Sequence, residues 1–397
     1  MTAKSRSTDD AGALAAAGLL RPTWADIDLD AFSRNVDAIV RRLPAGSRLI
    51  AVLKADAYGH GAVELARRCS PERVAMIAVA LLEEALELRG AGIDLPILLL
   101  GSVGSADQVA LAAGQDMTIG VTSPEMLEIA AASSRDRRVG IALKLDSGMG
   151  RVGLREGDLQ QAIGTIARSP GLHVDAIYTH FANAGDPRDA YTETQIANFR
   201  RMVGVLREVG IEGKLHEANS GATMRGLVAP GELARVGIAL YGAEALDVGH
   251  SKLEPVMRWR TEIVRLKTLP AGHPVGYGET FRTTRESRIA TLPVGYADGY
   301  NRLLSNRGEV LVRGRRAPVV GRVSMDLVTI DVTDIADVQF GDEVVLLGSQ
   351  GSETISAEEI AALTGTISYE VFCNVSARVP RVYREADRMT VRSRFTS

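Results

Sequence analysis

Between about residue 24 and residue 250, short apolar runs alternate with segments of helical periodicity. That alternation restricts the fold more than any other property of the 397-residue chain. The runs "RLIAVLK" (48–54), "MIAVA" (76–80), "PILLLG" (96–101), "VGIALKL" (139–145) and "VDAIYTHF" (174–181) read as strands buried on both faces. Between them lie helical patterns. In Ala31–Leu43, residues Phe32, Val36, Ile39, Val40 and Leu43 form one apolar stripe behind Asp30 as N-cap. Similar patterns run through 81–90, 123–133 and 190–209. Strand, helix, strand, many times over, implies a mostly parallel sheet. An open doubly wound sheet would alternate in the same way, but the number of units over ~230 residues suits an eight-fold β/α barrel better.

After about residue 255 the pattern changes. "TEIVRLKTL", "SRIATLPVGY", "EVLVRGRRAPVVGRV", "LVTIDV" and "DEVVLLG" read as strands broken by Gly, Pro and Asp turns. Only 356–364 looks helical, with Ser356 as cap and Glu359 three residues on. The expected fold class is therefore α/β: a (β/α)8 TIM-like barrel at 22–255, then a mainly β domain at 256–393. Residues 1–21 read as a flexible or peripheral extension. Lys4 and Arg6 precede an alanine-rich stretch, but Asp9 and Asp10 interrupt the positive region that a cleaved signal would need.

Composition narrows the function classes. A net charge of −3 gives no electrostatic reason to expect nucleic acid or an acidic membrane as partner, and runs such as Arg313–Arg316 read as solvated turns. No apolar stretch approaches the ~18 residues that span a bilayer. The two cysteines, Cys69 and Cys373, are far apart and form neither a metal-ligand spacing nor a disulfide framework, which suits a reducing cytoplasm. No metal is expected.

The residues that could carry chemistry begin with Lys54, at the end of "LIAVLK". Active-site groups of β/α barrels sit where strands give way to loops, and a desolvated amine there could form a Schiff base. Position alone would also fit an ordinary lysine reaching out of a strand end. Tyr58 follows within "YGHG", a tight turn that brings a phenol near the amine.

At this point "AVLKADAYGHG" (51–61) resembles the cofactor-lysine motif of the alanine racemases, pyridoxal-phosphate enzymes of fold type III built as a β/α barrel followed by a β domain. The resemblance runs from about residue 22 to 385 through several separated motifs. What it implies is specific. In "LKLDSGMGRVG", Arg151 resembles the donor to the cofactor's phenolic oxygen, and also a substrate contact. Lys144 there resembles a lysine that the family often carries carbamylated, steadying that arginine. In "YTHFANAGD", His180 resembles the histidine beneath the cofactor ring, and Asp186 an entry-channel residue displaced by the additional Gly185. Ser220 in "HEANSGATM" and the amides of Gly237 and Ile238 in "ARVGIALYG" resemble the phosphate cradle, completed by Tyr58 and Tyr369.

Arg235 resembles the arginine that faces the pyridine nitrogen. A guanidinium does not surrender its proton, so the ring would be a weaker electron sink, which favours local proton chemistry at Cα over transamination or decarboxylation. Related decarboxylases place an acidic residue there instead. In the β domain, Tyr277 in "PVGYGETF" resembles the second catalytic base beside Lys54. Tyr296 resembles a residue narrowing the substrate pocket, the Met325 amide a contact to the substrate carboxylate, and Arg302 and Arg322 entry-channel residues. Ser324 stands where many relatives carry cysteine.

In the family the β-domain groups come from the partner subunit, which implies a homodimer with shared sites. Free phenols and amines titrate near ~10, so a base pair of this kind must be shifted or paired to act at neutral pH. The implied activity is pyridoxal-phosphate-dependent interconversion of L- and D-alanine, supplying D-alanine for peptidoglycan. A broad-specificity or serine-preferring racemase is the nearest alternative, and a non-catalytic pyridoxal-phosphate carrier the alternative of another class.

Overall fold

A computed structural model describes residues 19–101, 103–243 and 253–394. The expected extension at 1–21 falls almost wholly outside the described residues. The described residues divide into two compact units, 32–57 with 61–243 and 253–254, and 19–31 with 58–60 and 255–394.

The first unit is built on eight parallel strands, β1 (Arg48–Val52), β2 (Val74–Val79), β3 (Ile97–Leu99), β4 (Met117–Val121), β5 (Val139–Lys144), β6 (Leu172–Tyr178), β7 (Lys214–His216) and β8 (Leu233–Val236). They pair in sequence order from β1 to β7, and β8 pairs with β1. The Arg235 N–H donates to the Ala218 carbonyl at 2.9 Å, joining β8 to the segment just after β7. The apolar runs are uniform because both faces of these strands are covered: every residue of "MTIGV" in β4 is buried.

Two of the intervening helices begin on serine caps. The Ser105 and Ser123 hydroxyls accept from the N–H groups of Gln108 and Met126, each at 3.3 Å, and Pro124 opens its helix where no N–H is needed. One cap differs from expectation. Helix Leu29–Val40 is capped by Asp28, whose carboxylate accepts from Ala31 N–H at 2.7 Å, while Asp30 accepts from Ala386 N–H at 2.8 Å.

The second unit is mainly β. Its large sheet places strand Thr23–Asp28 between Met257–Glu262, antiparallel, and Arg381–Glu385, parallel. Residues 23–28 therefore belong to the β unit, which differs from a barrel beginning at residue 22. A three-stranded sheet joins Arg265–Leu269, Ser287–Leu292 and Val328–Asp331. Helix Ala357–Thr364 is present, and Ser356 caps it through Glu359 N–H at 3.1 Å. A second helix, Ser368–Asn374, was not foreseen: seven residues without a side-chain cap carry little periodic signal. No helix among the described residues is long and apolar enough to cross a membrane.

Candidate active site

The segment carrying Lys54 departs from ordinary backbone geometry. Leu53 N–H still donates to the Ala78 carbonyl at 2.9 Å, continuing the β1–β2 ladder by one residue. Ala55, Asp56, Ala57 and Tyr58 then all take φ between 51° and 54°, and Gly59 follows at 77°. This is a turn of left-handed helix made from side-chain-bearing residues, at a cost of roughly 1–2 kcal/mol each. Its polar groups are tied down. Ala57 N–H donates to Leu53 carbonyl at 2.9 Å, Ala55 N–H to Glu84 Oε1 at 2.6 Å, and Ala62 N–H to Asp56 Oδ1 at 2.7 Å. The strain sits ahead of the glycines, in "ADAY", and it fixes the direction in which the chain leaves the lysine.

Strand register assembles the floor. Lys144, Tyr178 and His216 are direct partners across β5, β6 and β7, so one row of the barrel carries all three. The Tyr178 and His216 rings stack at 4.8 Å, and the Lys144 Nζ lies 5.9 Å from the Tyr178 centroid. Arg235, opposite Ile50 in β8, spreads its guanidinium 5.2 Å over the same tyrosine. It donates to the carbonyls of Thr179, His216 and Glu217, to His216 Nδ1 at 2.6 Å and to His180 Nδ1 at 3.4 Å.

Charge at this floor is one-sided. Burial, then Arg235, Lys144, Arg151 and Lys54 in that order, hold the His180 imidazole well below its ordinary pKa, so it is neutral at physiological pH. His216 is held neutral by burial and then by Arg235. Burial lowers Arg235 itself to about 10, still cationic at neutral pH. Lys144 is pushed down to about 8, by burial first and then by Arg151 and Arg235. Four cationic side chains thus bear on one imidazole at the C-terminal ends of the barrel strands. That environment suits a ligand carrying phosphate and phenolate oxygens.

The Lys144 shift has a pH consequence. Its folded pKa lies below the ordinary 10.5, so the folded chain releases a proton that the unfolded chain keeps. The cost is complete below about 8 and disappears as pH rises toward 10.5. Denaturant unfolding between pH 7 and 10 is expected to show stability rising with a slope that Lys144→Met lacks.

Ser220 and Gly237, two residues expected in the anion cradle, lie within hydrogen-bond distance of each other. Gly237 N–H donates to Ser220 Oγ at 2.9 Å, leaving the hydroxyl proton free to point elsewhere, and Ile238 opens the 3₁₀ turn that follows. Asn219 caps helix Ser220–Met224. A Cβ on Gly221 would lie 2.8 Å from the Gly185 backbone, so glycine at 221 lets the loop after His180 close on this helix. Asp186 is engaged by Arg188 through two contacts at 3.0 and 3.2 Å. Arg151 lies exposed on a loop shaped by the Asp146 carboxylate, which accepts from Gly148 and Gly150 N–H at 3.1 and 3.0 Å.

The β unit holds its own group of candidate residues. Tyr58 and Tyr369 face each other at 5.8 Å. Burial raises both phenols, Tyr369 to about 12, so both keep a proton to donate. Tyr277 opens a 3₁₀ turn and is 74% exposed. Tyr296 and Met325 are joined through their backbones: Tyr296 N–H donates to Ser324 carbonyl and Ala297 N–H to Met325 carbonyl, at 3.0 and 3.1 Å. A Cβ at Gly295 would stand 2.3 Å from the Met325 carbonyl, which is why the turn needs glycine. Arg302 and Arg322 are exposed. Tyr178 and His216 escaped sequence reasoning. The signal was the histidine opening "HEANSG", the last strand residue before the site-bearing loop.

Comparison with known proteins follows the same lines. Family models described as alanine racemase, N-terminal domain, and alanine racemase, C-terminal domain, match residues 27–245 and 256–383. The alanine racemase of Sorangium cellulosum is 42% identical over 378 residues, covering 92% of this chain and all of the relative. The crystal structure of alanine racemase from Bacillus anthracis with bound L-Ala-P superposes with a TM-score of 0.89 at 36% identity, covering 94% of this chain and 98% of that one. That of Bartonella henselae, with covalently bound pyridoxal phosphate, gives 0.83 at 30% identity, covering 91% and 99%.

Proposed function

The chain belongs to the alanine racemase family, and from that premise we propose that it interconverts L- and D-alanine by two-base proton transfer, with Lys54 on one face of Cα and Tyr277 on the other. Its cofactor is pyridoxal 5'-phosphate. The observation that carries the reading is the convergence of Lys54, Arg151 and Arg235 on His180 at the strand ends, a cationic floor that fits this group with or without the Lys144 charge.

When bound, the cofactor supplies a conjugated electron-withdrawing ring that acidifies the Cα–H of the amino acid. The protein's own residues do the rest. Lys54 would hold the cofactor through its amine, and the same amine would take or return the Cα proton on one face. Ser220, the amides of Gly237 and Ile238, Tyr58 and Tyr369 hold the phosphate. Arg235 would hold the ring nitrogen and keep its own protons, so electron withdrawal would stay modest and proton transfer at Cα would be favoured over bond cleavage elsewhere. His180, a neutral imidazole, would support the ring, and Arg151 would hold the phenolic oxygen and contact substrate.

Tyr277, Tyr296 and Met325 act on the barrel of a second copy of the chain. The 74% exposure of Tyr277 supports this reading, since a base must be desolvated to work and a homodimer would supply the cover. Tyr296 limits the side chain to methyl or hydroxymethyl. Asp186, Arg302 and Arg322 line the way in. The enzyme works in the cytoplasm and supplies D-alanine for peptidoglycan.

Lys144, with its amine brought down to about 8, is set to add carbon dioxide, and the resulting carboxylate would hold Arg151. In 13C-bicarbonate a carbamate resonance is expected to grow from pH 7 to pH 9 and to be absent from Lys144→Ala.

Incubating holoenzyme with single L-amino acids and separating products by chiral chromatography tests the assignment. D-alanine should form fastest and D-serine more slowly. Equal rates with lysine or arginine would overturn the narrow pocket, and no D-product from any of them would overturn the activity.

A further inference from the structure

Beside Arg235 the barrel wall holds an ion group that the reaction has not used. Arg200, on helix Tyr191–Glu208, donates to Glu217 Oε1 at 2.5 Å and to Glu232 Oε1. Glu217 follows His216 directly, and Glu232 directly precedes β8, the strand that carries Arg235. Their side chains are 2% and 9% exposed. The second carboxylate oxygen of each is buried without a hydrogen-bond partner among the described residues. Two carboxylates on one guanidinium leave one buried negative charge, and the next cation inward is Arg235. Glu217 touches that cation twice over, by its carbonyl, which accepts from Arg235 at 3.3 Å, and by its charge.

We infer that Glu217, seconded by Glu232 on Arg200, is a positioning residue for Arg235: it balances that buried guanidinium and fixes its plane for the cofactor ring. The inference rests on the proposed contact between Arg235 and the ring nitrogen. Every charged or titratable group facing the Glu217 carboxylate enters the balance: Arg200 from the helix, Glu232 from the segment before β8, Arg235 from β8, and the neutral His216 beside it. Burial and the nearness of Glu232 raise Glu217 to about 6 against the pull of Arg200 and Arg235. A proton taken up there at mildly acid pH removes the backing charge. Arg235 then loses its counter-ion while the other site residues stay as they were.

The test is the pH dependence of the cofactor itself. Holoenzyme visible absorbance and cofactor dissociation by equilibrium dialysis are followed from pH 5 to 8 in wild type, Glu217→Gln and Glu232→Gln. Wild type is expected to lose up to about tenfold in cofactor affinity through a step near pH 6, since a one-unit coupling is a factor of ten. Glu217→Gln should lack that step and show the weaker affinity throughout, while titration of the cofactor's own phosphate remains. Glu232→Gln, which keeps Glu217 and removes its repulsive neighbour, should move the step to lower pH. Identical profiles in all three proteins would overturn the inference. Should Glu217→Gln not fold, an unmoved step in Glu232→Gln overturns it alone. Arg235→Lys separates the two levels: an unchanged spectrum in that variant refutes the ring contact and the inference together. A changed spectrum there with an unchanged profile in Glu217→Gln refutes the inference only.

Discussion

Lys54→Ala is expected to reduce racemisation in both directions by about 10⁴-fold or more, because one side chain serves as both covalent anchor and base. The fold should survive. The left-handed turn at 55–58 is held by hydrogen bonds to the Leu53 carbonyl and to the Glu84 and Asp56 carboxylates. Circular dichroism and the thermal midpoint should therefore match wild type within a few degrees. Borohydride, which fixes the cofactor onto a lysine amine, should label the peptide spanning 51–61 in wild type and leave it unlabelled in the variant. Labelling elsewhere in an active Lys54→Ala protein would show that the anchor has been misplaced.

Tyr277→Phe is expected to give a more informative loss. The ring stays and the hydroxyl goes, so racemisation should fall by about 10²- to 10⁴-fold, equally in both directions because the two enantiomers have equal free energy. The half-reaction served by Lys54 should persist. In D2O, D-alanine should exchange its Cα proton without becoming L-alanine, while L-alanine should barely exchange. Proton NMR of each enantiomer incubated separately distinguishes the cases. L-alanine exchanging at the wild-type rate in Tyr277→Phe would remove Tyr277 from the mechanism.

Much of this arrangement was legible before any coordinates. Strands buried on both faces are largely apolar, so "RLIAVLK", "MIAVA" and "VGIALKL" announced themselves, and Ser356 with Glu359 three residues on located a helix start. Lys54 stood out because a charged residue ends an apolar run. Other features depend on pairing that sequence does not display. Strand Thr23–Asp28 joins the β unit because its partners lie more than two hundred residues onward, at 257–261 and 381–384. Tyr178 and His216 acquire meaning only when register aligns them with Lys144. The left-handed turn was hidden because Ala, Asp, Ala and Tyr have no local preference for it; surrounding contacts impose it. Helix Ser368–Asn374, with Tyr369 in its first turn, was too short to register as a pattern.

The division of labour between two bases is tested most directly by a single turnover of excess holoenzyme with L-alanine in D2O. Proton removal by Tyr277 and return by Lys54 place two separately exchanging groups on opposite faces of Cα. The first D-alanine formed should therefore carry deuterium at Cα almost completely. D-alanine that retains the original protium in substantial fraction would mean that one group carries the proton from face to face, and the two-base assignment of Lys54 and Tyr277 would be wrong.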